Sequence, residues 1–322
     1  MQAVRFATPG GPEVLEVVTV DAPTPGPGEV LVAVEYAGVN FIDTYHRSGL
    51  YPLPLPSGNG LEGVGIITAV GADVTTRTVG QRVVWSDTLG SYAEQVAVPA
   101  DRCVPVPDGV DAPTACALAL QGMTAHYLAF STFPLGKEHT TLIYAAAGGV
   151  GRILVQLAVQ RGARVLACTS TDEKAAAVRA LGAHEVIRYR DVDVAETVRA
   201  LTDGVGADVV YDSVGAATWQ SSLDSLRLRG TAVFYGNASG PVPPLDLLEL
   251  AHRGSLTVTR PKLQDYVVTG EELAWRAGAL HQLTASGNLA VDVHAVYPLA
   301  QVAQAHRDLE SGTTAGKLLL KI

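Results

Sequence analysis

At 322 residues, with 48% hydrophobic and 17% charged residues, the chain is long enough to bury a large core and, on length alone, roughly two domains. A formal net charge of -9 gives a nucleic-acid backbone no general reason to approach, so a DNA or RNA partner would require a local basic patch. No stretch nears the roughly 18 uninterrupted apolar residues of a membrane span, and the opening MQAVRFATPGG lacks the apolar segment of a secretory signal, so a cytoplasmic protein is expected.

The first third is rich in Gly, Pro and β-branched residues. EVLVAVEYAGVN (29–40), GVGIITAVG (63–71), QRVVW (81–85) and SYAEQVAVP (91–99) predict short strands separated by turns, an all-β-like lobe. DAPTACALALQGMTAHYLAF, from Asp111, reads as one or two helices leaving that lobe. From Thr140 apolar strands alternate with helices: TTLIYAA with VGRILVQLAVQRG, ARVLACT with DEKAAAVRALG, EVIRY with VAETVRALTDG, ADVVYDSVG with TWQSSLDSLRLRG, then TAVFYGN and SLTVTR. Such alternation is the signature of a doubly wound parallel sheet. Helices over 271–286 and 300–310 and a terminal strand KLLLKI complete the chain, and these last sixty or so residues are expected to fold back on the β lobe. Cys103, Cys116 and Cys168 are odd in number and far apart, with no Cys-x-x-Cys or His-x-x-x-His spacing beside them, which predicts buried thiols rather than disulfides or zinc.

The loop YAAAGGVG (144–151) follows an apolar strand and opens an apolar-periodic helix, the placement in which a glycine pattern becomes a dinucleotide site. Gly148 lets backbone approach a pyrophosphate, Gly151 permits close packing of helix on strand, and the helix start at Ala147, Gly148, Gly149, Val150 and Gly151 supplies N–H groups and a positive dipole end. Ala145 stands where the pattern begins with glycine. About 20 residues after the last glycine, where NAD-binding folds place an acid against the ribose, this chain has Ser170. With Lys174, Tyr189 and Arg190 it suits a 2′-phosphate, so NADPH is the expected cofactor; Asp172, two residues further on, could reach a ribose if the turn is shifted. No GK[ST] phosphate loop, G-x-S-x-G elbow or paired helical histidines occur, which removes triphosphate, serine-hydrolase and metalloenzyme chemistry.

NFIDTYHRSGLYP (40–52), AAAGGVG (145–151), VVYDSVG (209–215), YGNASG (235–240) and VTRP (258–261) together resemble the bacterial quinone oxidoreductases related to zeta-crystallin, in the medium-chain dehydrogenase/reductase superfamily. The resemblance runs in order over nearly the whole chain. It implies an α/β protein with a GroES-like β-rich catalytic domain at 1–122 and 263–322 and a Rossmann, NADPH-binding domain at 123–262. The superfamily's alcohol dehydrogenases carry a Cys and a His as zinc ligands where this chain has Asn40 or Phe41 and Leu61, and Glu62 alone cannot hold zinc. A metal-free reduction is therefore implied.

In that scheme the nicotinamide carries the hydride and the protein orients the acceptor and hydrogen-bonds the oxygen that gains charge. Tyr45 and Tyr51 are the expected hydrogen-bond or proton donors and Asn40 the orienting amide, although Tyr51 also reads as a packing or lid aromatic and Asn40 as a turn-former. Asp43 and Arg260 join Asn40, Tyr45 and Tyr51 as acceptor-binding residues, with Asp43 also suited to a helix cap. Thr124, Tyr235, Asn237, Ser239 and Lys317 complete the expected cofactor contacts, of which a surface lysine is an equal reading of Lys317. A quinone acceptor reduced in a cleft between two domains is the main expectation; an activated alkene such as an enone is the alternative, and a noncatalytic NADPH- or RNA-binding protein a distant third. The resemblance also implies a homodimer paired through the edge strands TAVFYGN and SLTVTR, since a long uncovered edge is a liability.

Overall fold

The computed structural model describes all 322 residues and divides into two compact units, Met1–Met123 with Val267–Ile322, and Thr124–Tyr266. No helix is long and apolar enough to cross a membrane.

The first unit opens with β1 (Gln2–Phe6), β2 (Glu16–Thr19) and the eleven-residue β3 (Glu29–Val39). Alternate residues of β3, Val30, Val32 and Val34, point into the core, the period expected of a half-buried strand. There follow α1 (Phe41–Ser48), β4 (Ser57–Gly58), β5 (Gly63–Val70), β6 (Arg82–Trp85), β7 (Gln95–Pro99), β8 (Val104–Pro105) and α2 (Ala112–Ala117). The helical run then contains a π-helical turn at Leu118–Gly122 and, where the chain passes from the first unit to the second, α3 (Met123–Tyr127), followed in the second unit by another π turn at Leu128–Thr132. The sequence gives no local sign of these turns, which free backbone N–H groups from the usual ladder.

The second unit alternates β9 (Thr140–Ile143), α4 (Gly149–Gln160), β10 (Arg164–Thr169), α5 (Asp172–Ala180), β11 (Glu185–Arg188), α6 (Val194–Leu201), β12 (Ala207–Asp212), α7 (Trp219–Asp224), β13 (Leu226–Phe234), α8 (Leu247–His252) and β14 (Thr257–Thr259). The sheet is parallel throughout in the order β11-β10-β9-β12-β13-β14, so chain direction across the sheet reverses between β9 and β12. Ligands in open α/β sheets sit beyond the strand carboxyl ends at that reversal.

The closing segment returns to the first unit as α9 (Gly270–Ala285), β15 (Val293–Pro298), α10 (Val302–Glu310) and β16 (Lys317–Lys321). β16 pairs antiparallel with the carboxyl half of β3, from Tyr36 to Val39, while β7 takes the amino half. Lys317 is thereby set beside the end of β3, and α10 beside α1. β1, β2 and β15 are strands that period alone does not announce: β2 faces water on most of its residues and β15 is half-exposed throughout. All three cysteines are buried free thiols.

Candidate functional site

In the second unit the chain leaves β9 through Tyr144 and turns at Ala145, whose φ of 48° lies in the left-handed region. The Gly148 N–H closes the turn on the Ala145 carbonyl at 2.9 Å, and α4 begins at Gly149 with no side chain capping it. Its first-turn N–H groups are therefore presented to whatever lies beyond the end. Two glycines serve different needs. A Cβ on Gly151 would lie 2.3 Å from the Ala145 carbonyl oxygen and 2.7 Å from Ala146 Cα, so helix and strand touch backbone to backbone. A Cβ on Gly148 would meet only the Ala145 oxygen, at 3.2 Å, leaving its other side open for a ligand. Ala147 is buried, whereas Gly149 and Val150 are half-buried. This donor set fits a pyrophosphate. Ala145 occupies a left-handed position at a cost of about 1 kcal/mol, part of which glycine would return in unfolded-chain entropy. Ala145→Gly is therefore expected to raise stability by about 0.5 kcal/mol in urea titrations while leaving NADPH affinity unchanged.

The carboxyl ends of β10 and β11 lie side by side, bringing half-buried Ser170 and Lys174 to the region of Tyr189 and Arg190. The Arg190 guanidinium lies 5.9 Å from the Tyr189 ring centre, and burial together with the Arg190 charge holds the Lys174 ammonium below its ordinary range. A lysine ammonium disfavoured by burial and by a neighbouring guanidinium suits an anion. Asp172, the acid that could have favoured a bare ribose, turns its carboxylate to Arg188, which also pairs with Asp191 at 2.8 Å. Arg188 holds the Asp172 carboxyl below the usual carboxylate range.

Beyond β12 and β13 two glycine turns touch: a Cβ on Gly215 would meet the Gly240 carbonyl at 2.4 Å. The buried Asp212 carboxylate gathers Val214 N–H, Gly215 N–H, Thr218 Oγ1–H and Ser222 Oγ–H at 2.7–3.1 Å. Ser239, expected at the cofactor, is exposed, and its hydroxyl donates to the Val214 carbonyl at 2.8 Å and accepts from Ala217 N–H at 2.9 Å. Asn237 and Thr124 are buried, Tyr235 follows β13 with its N–H on the Asp212 carbonyl, and Arg260 is exposed just after β14.

In the first unit Asn40 is the N-cap of α1, and its amide lies in a buried polar cluster. Nδ2 donates to Glu62 Oε1 at 2.8 Å, while Oδ1 accepts from Gln121 Nε2 at 3.1 Å and from Lys317 Nζ at 2.9 Å. Lys317 also donates to Glu62 Oε1, and Glu62 Oε2 accepts the Leu120 N–H, which lies in the first π turn, at 2.7 Å. Lys317, expected at a phosphate, is thus buried and committed to Glu62 and Asn40. This commitment is invisible in the sequence, because a lysine just before a strand looks local and exposed, whereas its partners lie 277 and 255 residues away.

Asp43, expected at the acceptor, instead faces the interior. It is fully buried, with Oδ2 accepting from Asn40 N–H and Tyr92 O–H, each at 2.8 Å, and Oδ1 without a partner. Burial raises its carboxyl to about 7, against the lowering effect of the Tyr92 hydroxyl. The cap reading of Asp43 therefore describes one of its two bonds. Tyr45 and Tyr51 do come together, edge to face with centroids 5.3 Å apart, and Tyr51 N–H donates to the Tyr45 carbonyl at 3.0 Å. Gln121, Tyr92 and His306 are not singled out by the sequence, and only the tertiary fold brings them to α1; Arg47, on α1 itself, carries no local sign of its buried partners on α10. No group of three or more His, Cys, Asp or Glu side chains could hold a metal ion.

Comparison with known proteins agrees with this construction. Residues 26–108 match the alcohol dehydrogenase GroES-like domain and residues 149–282 the zinc-binding dehydrogenase family. A quinone oxidoreductase of Pseudomonas aeruginosa is 44% identical over 98% of both chains. The solved structure of Escherichia coli quinone oxidoreductase complexed with NADPH superposes with a TM-score of 0.98 at 42% identity, covering 100% of each chain. A 2-haloacrylate reductase from Burkholderia is 41% identical over 97% of this chain and 96% of its own. The chain belongs to the quinone oxidoreductases of the medium-chain dehydrogenase/reductase superfamily.

Proposed function

We propose that this protein is an NADPH-dependent quinone reductase that works without a metal. The observation that carries the reading is the uncapped start of α4 behind the Gly148–Gly151 turn, with Lys174 and Arg190 crowded at the end where a 2′-phosphate would lie. When bound, NADPH supplies the hydride. The first turn of α4 holds its pyrophosphate, and Ser170, Lys174 and Tyr189 hold the 2′-phosphate. Asn40, fixed by Glu62, Lys317 and Gln121, orients the reacting groups. Tyr45 and Tyr51 donate to the oxygen that gains charge, and one of them passes its phenolic proton to it.

The relationship to a 2-haloacrylate reductase favours a second reading, reduction of an activated C=C bond, because a conjugated carbonyl places developing charge on an oxygen in the same way. Steady-state oxidation of NADPH and NADH against 1,4-benzoquinone, 9,10-phenanthrenequinone, an enone and 2-chloroacrylate separates the two. Rapid, NADPH-selective quinone turnover is expected, with Tyr45→Phe lowering kcat by roughly 10- to 100-fold through one lost charge-assisted hydrogen bond. Preference for the alkenes would transfer the protein to the second reading, and tight NADPH binding with no turnover would sink both. A homodimer joined at the β14 edge and a cytoplasmic location belong to the same proposal; sedimentation at micromolar concentration tests the former.

A further inference from the structure

Helix α1, which carries Tyr45 and is capped by Asn40, has only eight residues, too few to hold itself in water. Its bracing comes from a buried chain of polar groups that begins and ends on the helix. Arg47, nearly completely buried, grips Glu310 on α10 with both terminal nitrogens and donates from Nη1 to His306 Nδ1 at 3.1 Å. An arginine can only donate, so Nδ1 accepts and the ring proton sits on Nε2. Nε2 faces the Tyr92 hydroxyl at 3.4 Å, and that hydroxyl donates to Asp43 Oδ2. Burial and the Arg47 charge push His306 down to about 3, so the ring is neutral and its tautomer is set by its neighbours. Asp43 and Arg47 stand four residues apart and could have paired directly on one helix face. Instead Tyr92 and His306 are inserted between them, tying α1 to α10 and to the segment before β7.

We propose that His306 and Tyr92 are positioning residues of the reaction, holding through Arg47 and Asp43 the helix that presents Asn40 and Tyr45. This rests on the quinone-reductase reading. The groups that set the charge on Asp43 are Tyr92, the Asn40 N–H, Glu62 and Lys317, with His306 and Arg47 one step further along the chain.

The test uses the full-length protein in three variants. Gln at 306 offers an amide oxygen to Arg47 and an N–H to Tyr92; Leu offers neither. His306→Leu is expected to lower quinone kcat at least 10-fold with NADPH Kd within 2-fold, and His306→Gln to return kcat to within about 3-fold of the parent. Tyr92→Phe removes one hydroxyl without emptying its site. It is expected to lower kcat 5- to 10-fold and to move the acid limb of the kcat profile to higher pH, since that hydroxyl is what holds the Asp43 proton affinity down. Hydrogen exchange over residues 40–49, expected to quicken about 10-fold in His306→Leu and not in His306→Gln, is read without any acceptor. If the parent turned over no acceptor while exchange behaved as stated, the functional reading would fail and the bracing would stand. Parent-like kcat, pH profile and exchange in folded Tyr92→Phe and His306→Leu would overturn the proposal. So would equal loss in the Leu and Gln variants.

Discussion

Lys317→Met is expected to destabilise the first unit by about 3–5 kcal/mol, a larger effect on stability than that of Ala145→Gly at the glycine turn. Lys317 and Glu62 are 1% and 0% exposed, and the methionine would leave the carboxylate buried against Asn40 and the Leu120 N–H with no cation beside it. An uncompensated buried charge costs far more than a surface pair contributes, because water cannot solvate what remains. For a unit of this size the loss corresponds to a fall of about 10 °C in melting temperature. Glu62→Gln leaves the ammonium equally stranded, yet the two changes together remove both charges, so the double variant should be at least about 2 kcal/mol more stable than the sum of the singles. Urea titrations of the four proteins supply the cycle. Strict additivity would mean that the ion pair contributes no coupling, and the buried-pair account would fail. Activity should fall in both single variants, because Asn40 loses a fixed partner in each.

The same pair shows what a sequence can and cannot display. β3 is legible because a strand with one buried face writes its own period, β5 and β16 because they are short apolar runs bounded by turn residues or by the chain end, and the parallel sheet because apolar strands and helices alternate from Thr140 onward. The glycine turn is legible because tight backbone approach at Gly151 admits no other residue. Ala145 conceals part of that signal: the turn needs a left-handed residue, and alanine adopts it under strain rather than forbidding it. Ser170 follows the second strand directly and Lys174 lies in the first turn of α5 because strand length and turn length fix those positions.

Lys317, Asp43 and Ser239 are another matter. Each is polar, near a turn or helix start, and locally indistinguishable from a ligand-facing residue; each is committed to partners that only the fold supplies. Tyr92 and His306 were invisible for the same reason. They lie 49 and 263 residues from Asp43, and a tyrosine and a histidine on mostly apolar segments resemble ordinary core residues. Edge strands such as β2, half-open to water, lack the alternation by which a strand is read.

The second large effect concerns pH. Asp43 ionises near 3.8 when unfolded and near 7 in the folded protein, where burial penalises its charge. The folded state therefore binds this proton more tightly, so the stabilisation it confers is full below about pH 4 and is lost as pH rises through about 7. The rise from 3.8 to about 7 corresponds to a contribution on the order of 4 kcal/mol. Asn at 43 keeps a carbonyl for Asn40 N–H and Tyr92 O–H but cannot ionise, and places its amide where Oδ1 has no partner. Urea titrations at several pH values should find Asp43→Asn no more stable than the parent at pH 4, because an unpaired buried amide carries its own cost. The difference should then swing in favour of the variant between pH 4 and 7 and level off above. A difference independent of pH across that range would show that Asp43 is not the group being titrated. At pH 8 the variant is expected to be the more stable protein and the slower enzyme. Such an exchange of stability for rate is what a carboxylate kept charged in a dry interior implies, because its cost is tolerated only where the charge it carries orients something that reacts.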